Sequence, residues 1–170
     1  MIILNGIKSE IISILIIVFS FIGTIARDKF DHNFLTAMIM HGNMQHFTGN
    51  IMIFLMLSPA VEKFYGKLNY IAAFLFTAIV DYLFQTYVAH AVAIGLSGFV
   101  FALFMLNSFI TDKRSGVSIC GIVLLVIYGF QELSGMANND NISHSGHLLG
   151  LATGLIYAIL YIQYKRIKAL

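Results

Sequence analysis

The chain has 170 residues, enough for one domain, but 59% of them are hydrophobic and only 11% are charged, against roughly 25% charged in soluble domains. With a mean hydropathy of +0.86, this is the composition of a membrane protein. The net charge of +2 does not indicate a nucleic-acid binder, because the basic residues fall in short clusters between apolar runs, and the lone Cys120 excludes an intrachain disulfide or a multi-cysteine metal site.

Six apolar stretches read as membrane helices of a single all-α polytopic bundle covering residues 1–170, at about 10–26, 47–65, 68–87, 97–111, 116–132 and 145–163. Most breaks between them carry Gly, Asn, Asp or charged residues. The first stretch, IISILIIVFSFIG after Lys8, has the short core of a cleavable signal peptide, but no A-x-A site follows, so it is read as a retained helix. Six spans put both termini on one side. Lys8, Lys63, Lys67, Lys113, Arg114, Lys165, Arg166 and Lys168 then share a face, with only Arg27 and Lys29 opposite, and the positive-inside rule makes that face cytoplasmic. The segments 27–45, 88–96 and ELSGMANNDNISHSG therefore face outward.

In the first of these, 41-HGNMQHFTGN-50, His46 and Asn50 stand four residues apart and share one helix face. Inside a membrane such a pair is expensive unless it lines a protein interior or a wet cavity, and it serves either function or interhelical hydrogen bonding. The next is 95-GLSGFVFALF-104. A helix from Ser97 to Thr111 spans only about 22 Å of a roughly 30 Å hydrocarbon core, so it begins below the outer surface and places Ser97 on the floor of a cavity. Its free N–H groups suit an oxyanion. Ser97 equally suits small-residue packing, which Gly98 and Ala102 support. Last comes 144-HSGHLLGLATG-154, where Gly150 and Gly154 form a G-x-x-x-G face and His147 lies one turn earlier on roughly the same side. Pairing that face with Gly98 and Ala102 brings His147 towards Ser97.

These three constellations together resemble the rhomboid family of intramembrane serine proteases, in its bacterial, six-span form. The match runs from about Thr36 to Gly154, through H-x4-H-x3-N at His41, His46 and Asn50, E-K-x-x-G at Glu62, Lys63 and Gly66, G-x-S-G at Gly95 to Gly98, and G-H-x-x-G-x-x-x-G at Gly146 to Gly154. The resemblance implies that Ser97 is the nucleophile and His147 its general base, in a dyad without a carboxylate. His46, Asn50 and the Ser97 backbone N–H would form the oxyanion hole. His41, Gly95, Gly98, Gly150 and Gly154 would support the site, and Phe101 would lie against the imidazole of His147. It further implies a serine endopeptidase that needs no metal or cofactor and cuts transmembrane helices of other membrane proteins near the outer leaflet of a bacterial cell membrane, with the fifth span gating lateral access. The partners are then the substrate helix and the lipid bilayer, and no nucleic acid. Many family members carry Trp-Arg before the matched threonine, whereas this chain reads 32-HNFLT-36 and has no tryptophan. That alters the outer loop and leaves the dyad.

Other polar residues receive plainer readings. Asp81 is expected to make a structural hydrogen bond or to lie near the wet end of its span, Asp140 to be solvated, and Glu62 and Lys63 to cap a cytoplasmic turn. His144, a turn nearer the surface, is a weak rival to His147 as base. A reading from another class is a metal or haem protein using His41, His46, His144 and His147. Against it, the five-residue step from His41 to His46 does not align two ligands, and the sequence places no acidic residue beside them. A third reading is an inactive relative that binds membrane segments without cutting them.

Overall fold

A computed structural model describes residues 10–91, 94–110, 119–137 and 142–168 of the chain. Among them are seven α-helices: α1 (Ile11–Ile25), α2 (Phe34–Ile39), α3 (Met44–Tyr65), α4 (Lys67–Tyr87), α5 (Ser97–Ser108), α6 (Ile119–Gly135) and α7 (His144–Lys168), with a 3-10 turn at Arg27–Lys29. A helix lies at each of the six expected places. By length and apolarity α4 and α7 are able to cross a membrane, while α1 and α5 are apolar but shorter. The extra helix, α2, lies in the segment expected to be an outer loop. Asn33 caps it, with Oδ1 accepting from the N–H groups of Leu35 and Thr36 while Thr36 Oγ1 accepts from Asn33 N–H, a reciprocal capping box. Lys8, Lys113, Arg114 and Asp140 lie outside the described residues.

The bundle is built around α5. Every residue from Gly98 to Leu106 on it is buried, as expected of a helix that is apolar all round. The outer helices invert the soluble pattern. Met56 is 79% exposed and Phe130 73%, whereas Ser13, Thr24, Asn50, Ser58, Glu62, Thr77, Gln85, Glu132 and Thr153 are buried. Apolar surface outside and hydrogen-bonded polar groups between helices are what a bilayer solvent favours.

Two contacts set the frame. At one end of the bundle Glu62, on α3, caps α1: its carboxylate accepts from the N–H groups of Ile12 (3.0 Å) and Ser13 (2.7 Å) and from Ser13 Oγ (2.5 Å). A carboxylate at a helix N-terminus satisfies otherwise orphaned donors and meets the positive end of the dipole. Ser58 bridges Ser13 Oγ, 2.7 Å away, to the hydroxyl of Tyr70 on α4. Glu62 was expected to cap its own turn; it caps another helix instead. The turn from α3 to α4 is closed by Gly66, whose N–H donates to the Glu62 carbonyl at 2.9 Å and whose φ of +79° favours glycine.

The second contact is between α5 and α7, the most extensively packed helix pair among the described residues. A Cβ on Gly150 would overlap the carbonyl oxygen of Gly98, and one on Gly154 would overlap the backbone of Ala102. The expected small-residue pairing is thus realised, and its tight side is α7. A Cβ at Gly98 would meet Asp81 Oδ2 at 3.5 Å and the Gly146 carbonyl at 3.6 Å, which is ordinary contact.

Candidate active site

Ser97 is the first residue of α5, and Leu96, at the N-cap position, supplies no side-chain cap to that helix. Its first N–H groups therefore have no intrahelical partner. The strand of chain leading to it is pinned from two directions. Gly95 N–H donates to the Ala37 carbonyl (2.8 Å), and Leu96 N–H donates to Nε2 of His41 (3.2 Å). His41 is fully buried, and its Nδ1 faces Thr24 Oγ1 at 3.1 Å, so α1, the His41 segment and the approach to α5 are bound together through one imidazole. Burial, helped by the neighbouring charge of His46, pushes the pKa of His41 down to about 4. It stays neutral, as the bond from Leu96 requires.

Asn43 sets the position of the next pair. Its Oδ1 accepts from His46 N–H at 2.8 Å and starts α3 at Met44, three residues before the expected beginning of the span. His46 and Asn50 then follow one turn apart. Both lie against Gly95, where an added Cβ would stand 2.8 Å from Cε1 of His46 and 3.6 Å from Nδ2 of Asn50. With φ at +128° and an imidazole against its α-carbon, position 95 requires glycine twice over. Asn50 Nδ2 is buried and has no hydrogen-bond partner among the described residues. A buried amide donor left open is costly, and because Asn50 lines the cavity, its Nδ2 is available to an acceptor there, water or ligand.

His147 enters from the first turn of α7. Its ring stacks on Phe101, with centroids 4.2 Å apart and planes 9° from parallel. Nδ1 lies 2.9 Å from Oε2 of Glu132, a buried carboxylate on α6. With Glu132 ionised, its carboxylate can only accept, and this pairing assigns the ring proton to Nδ1 and leaves Nε2 its lone pair. Ser97, His46, Asn50, Gly95, Gly98, Phe101 and His147 line a single cavity of about 960 Å³, together with Asp81, Gln85 and His144.

Two expectations change here. The imidazole was expected to work without a carboxylate, and the histidines to have no acidic neighbour; Glu132 touches both His147 and, at 2.6 Å, Nδ1 of His144. Sequence reasoning missed it because Glu132 closes an apolar span and opens a polar loop, and nothing local ties it to a histidine 15 residues later. An ionisable side chain at the end of a membrane helix was the available signal. The four-histidine set is also not brought together as ligands, since both ring nitrogens of His41 are engaged by Thr24 and Leu96. Asp81 accepts from Gln85 Nε2 at 3.2 Å, and Gln85 in turn reaches Ser143 Oγ at 2.9 Å, tying α4 to the start of α7.

A bundle with a lipid-compatible surface, a buried short helix opening on a serine, and an imidazole in the same cavity defines a class: helical membrane proteins with an internal cavity lined by both a serine and a histidine. The rhomboid domain model matches residues 29–164. The chain belongs to the rhomboid family. It is 30% identical over 135 residues to a provisionally named rhomboid protein of Acanthamoeba polyphaga mimivirus, covering 76% of this chain and 74% of the relative. To YdcA of Bacillus subtilis (strain 168), provisionally named a rhomboid protease, it is 27% identical over 142 residues, covering 77% and 67%. As a rhomboid it is an integral membrane protein.

Proposed function

We propose that this protein is an intramembrane serine endopeptidase, with Ser97 as nucleophile and His147 as base. The observation that carries the reading is the state of His147: stacked on Phe101, hydrogen-bonded through Nδ1 to Glu132, and lining the same cavity as Ser97. Family membership supports it.

Ser97 Oγ attacks a backbone carbonyl of the substrate as His147 Nε2 takes its proton. The developing oxyanion is held by the Ser97 N–H, by Asn50 Nδ2 and by His46; the last two lie beside Gly95, two residues before Ser97. Glu132 fixes the ring tautomer and offsets the positive charge that the ring gains; Phe101 fixes its plane. The tetrahedral intermediate collapses when His147 returns the proton to the leaving amine, leaving an acyl-enzyme that water from the cavity hydrolyses. Five helices, α1, α3, α4, α6 and α7, cross the bilayer in this reading and the short α5 spans only part of it, with termini in the cytoplasm and the cavity open outward, as the distribution of lysine and arginine supports. Substrates are transmembrane segments that unwind locally, because helical hydrogen bonds otherwise shield their carbonyls. Lateral access runs past α6.

The test is labelling with a fluorophosphonate probe, wild type beside Ser97→Ala, together with cleavage of a transmembrane reporter in proteoliposomes. Labelling and cleavage confined to the wild type are expected. Equal labelling of both, or none beside a labelled positive-control rhomboid, would sink the assignment.

A further inference from the structure

Glu132 serves two histidines, and one of them, His144, has no part in proteolysis as derived above. His144 and His147 stand three residues apart on the first turn of α7, so their rings rise on one side of the helix towards the end of α6. Glu132 Oε2 lies 2.6 Å from Nδ1 of the first and 2.9 Å from Nδ1 of the second. One donor atom from each of the three residues falls within 4.8 Å of the others. The place is shaped for an imidazole: Gly135, one turn after Glu132, is packed under the His144 ring, and a Cβ there would come 2.6 Å from Nδ1 and 2.8 Å from Nε2. The three side chains are 5%, 12% and 13% exposed.

We propose that Glu132, His144 and His147 form a binding site for a divalent transition-metal ion of the zinc type, and that occupancy of the site switches proteolysis off. Two neutral imidazoles and one carboxylate are a ligand set for such ions rather than for magnesium or calcium, which take oxygen ligands. Metal–ligand bonds of about 2.0–2.2 Å in a tetrahedron place the donor atoms about 3.3 Å apart. The present spacings of 2.6 and 2.9 Å from Glu132 are hydrogen-bond distances, so each ring nitrogen must draw back from the carboxylate by about half an ångström as the ion replaces the two ring protons, while the wider spacing in the group, within 4.8 Å, must close around the ion. A fourth position is left to water from the cavity, which His144 and His147 both line.

The consequence for catalysis follows from the tautomer. A metal on Nδ1 of a neutral imidazole moves the ring proton to Nε2. That nitrogen is the one that must accept the proton of Ser97, so the metal-bound protein has no base. No bond to substrate is involved, and removal of the ion restores the original tautomer. The inhibitory half of this inference rests on the proteolytic reading; the binding half does not.

The two halves are separated by experiment. In the detergent-solubilised, chelator-stripped full chain carrying Ser97→Ala, Co²⁺ serves as the spectroscopic probe. The expected result is saturable visible absorption at one Co²⁺ per chain, displaced by Zn²⁺, with affinity reduced at least tenfold by His144→Asn and by Glu132→Gln in chains that retain their helical circular dichroism. Absorption that does not saturate, or that neither substitution weakens, would overturn the site. In proteoliposomes, Zn²⁺ is expected to inhibit cleavage by the otherwise wild-type chain reversibly, and His144→Asn to raise the half-inhibitory Zn²⁺ concentration at least tenfold, each chain referred to its own metal-free rate. Uninhibited cleavage by a chain that binds Co²⁺ would overturn the switch. Absence of cleavage after chelation would overturn proteolysis and the inhibition with it, leaving the Co²⁺ titration to decide the site.

Discussion

The rings of Phe101 and His147 lie 4.2 Å apart and nearly parallel, joining α5, which begins at Ser97, to α7, which carries the imidazole. Phe101 is one turn after Ser97, so the residue that holds the ring and the residue the ring is proposed to serve move as one rigid helix. Stacked aromatic pairs contribute about 0.5–1.5 kcal/mol beyond their buried area. Phe101→Ala is expected to lower kcat about tenfold, equivalent to roughly 1.4 kcal/mol, with Phe101→Tyr retaining most of the rate. Cleavage kinetics in proteoliposomes would show this, and an unchanged kcat for the alanine variant would remove the ring-holding role.

Asn50 presents a buried amide donor with no partner among the described residues, one turn below His46 and beside Gly95. Removing one oxyanion donor typically costs about 10²–10³ in rate. Asn50→Ala and His46→Ala are expected to fall by that order while still folding, because among the described residues neither side chain bridges two helices through a hydrogen bond of its own. Thermal melting alongside kcat separates the cases. A variant that loses activity and melting temperature together would indicate a packing role.

The Gly154 α-carbon faces the backbone of Ala102 with no room for a Cβ. Gly154→Val would force α5 and α7 apart, with an overpacking cost of about 1–3 kcal/mol or more. A lower melting temperature is expected, with reduced cleavage, since the same separation withdraws His147 from the Ser97 cavity. Ala102→Gly in the same chain should recover little, because the overlap is with backbone atoms. Full recovery would mean that the Ala102 side chain is what obstructs.

His41 is held near pKa 4 in the folded chain by burial and by His46, against an ordinary value of 6.5. As the pH drops below 6.5 the unfolded chain takes up a proton that the folded chain refuses, so the stability this site contributes is complete above about pH 6.5 and is lost progressively towards pH 4. The melting temperature of the solubilised protein should decline across that window. His41→Gln should lower it at pH 7.5 and flatten the decline, whereas an equally steep decline in that variant would place the titrating group elsewhere.

Much of this protein is decided within a few residues of chain. The all-α class follows from apolar runs too long for strands, and the side-by-side placement of His46 and Asn50, of Ser97 and Phe101, and of Gly150 and Gly154 follows from the helical repeat alone. The start of α3 at Met44 was legible too, in the capping character of Asn43, though apolarity alone placed the span at 47. α2 was hidden because six residues between polar turns carry no periodic signal. Glu62 capping α1, Leu96 bonding to His41, and Glu132 shared by His144 and His147 were decided only by tertiary structure. Each joins groups from separate helices or segments, and no repeat along the sequence specifies the angle and offset at which packed helices meet. The close approach of α5 and α7 sets that geometry around Ser97 and His147, and α6, packed against both, carries Glu132 into bonding distance of His147.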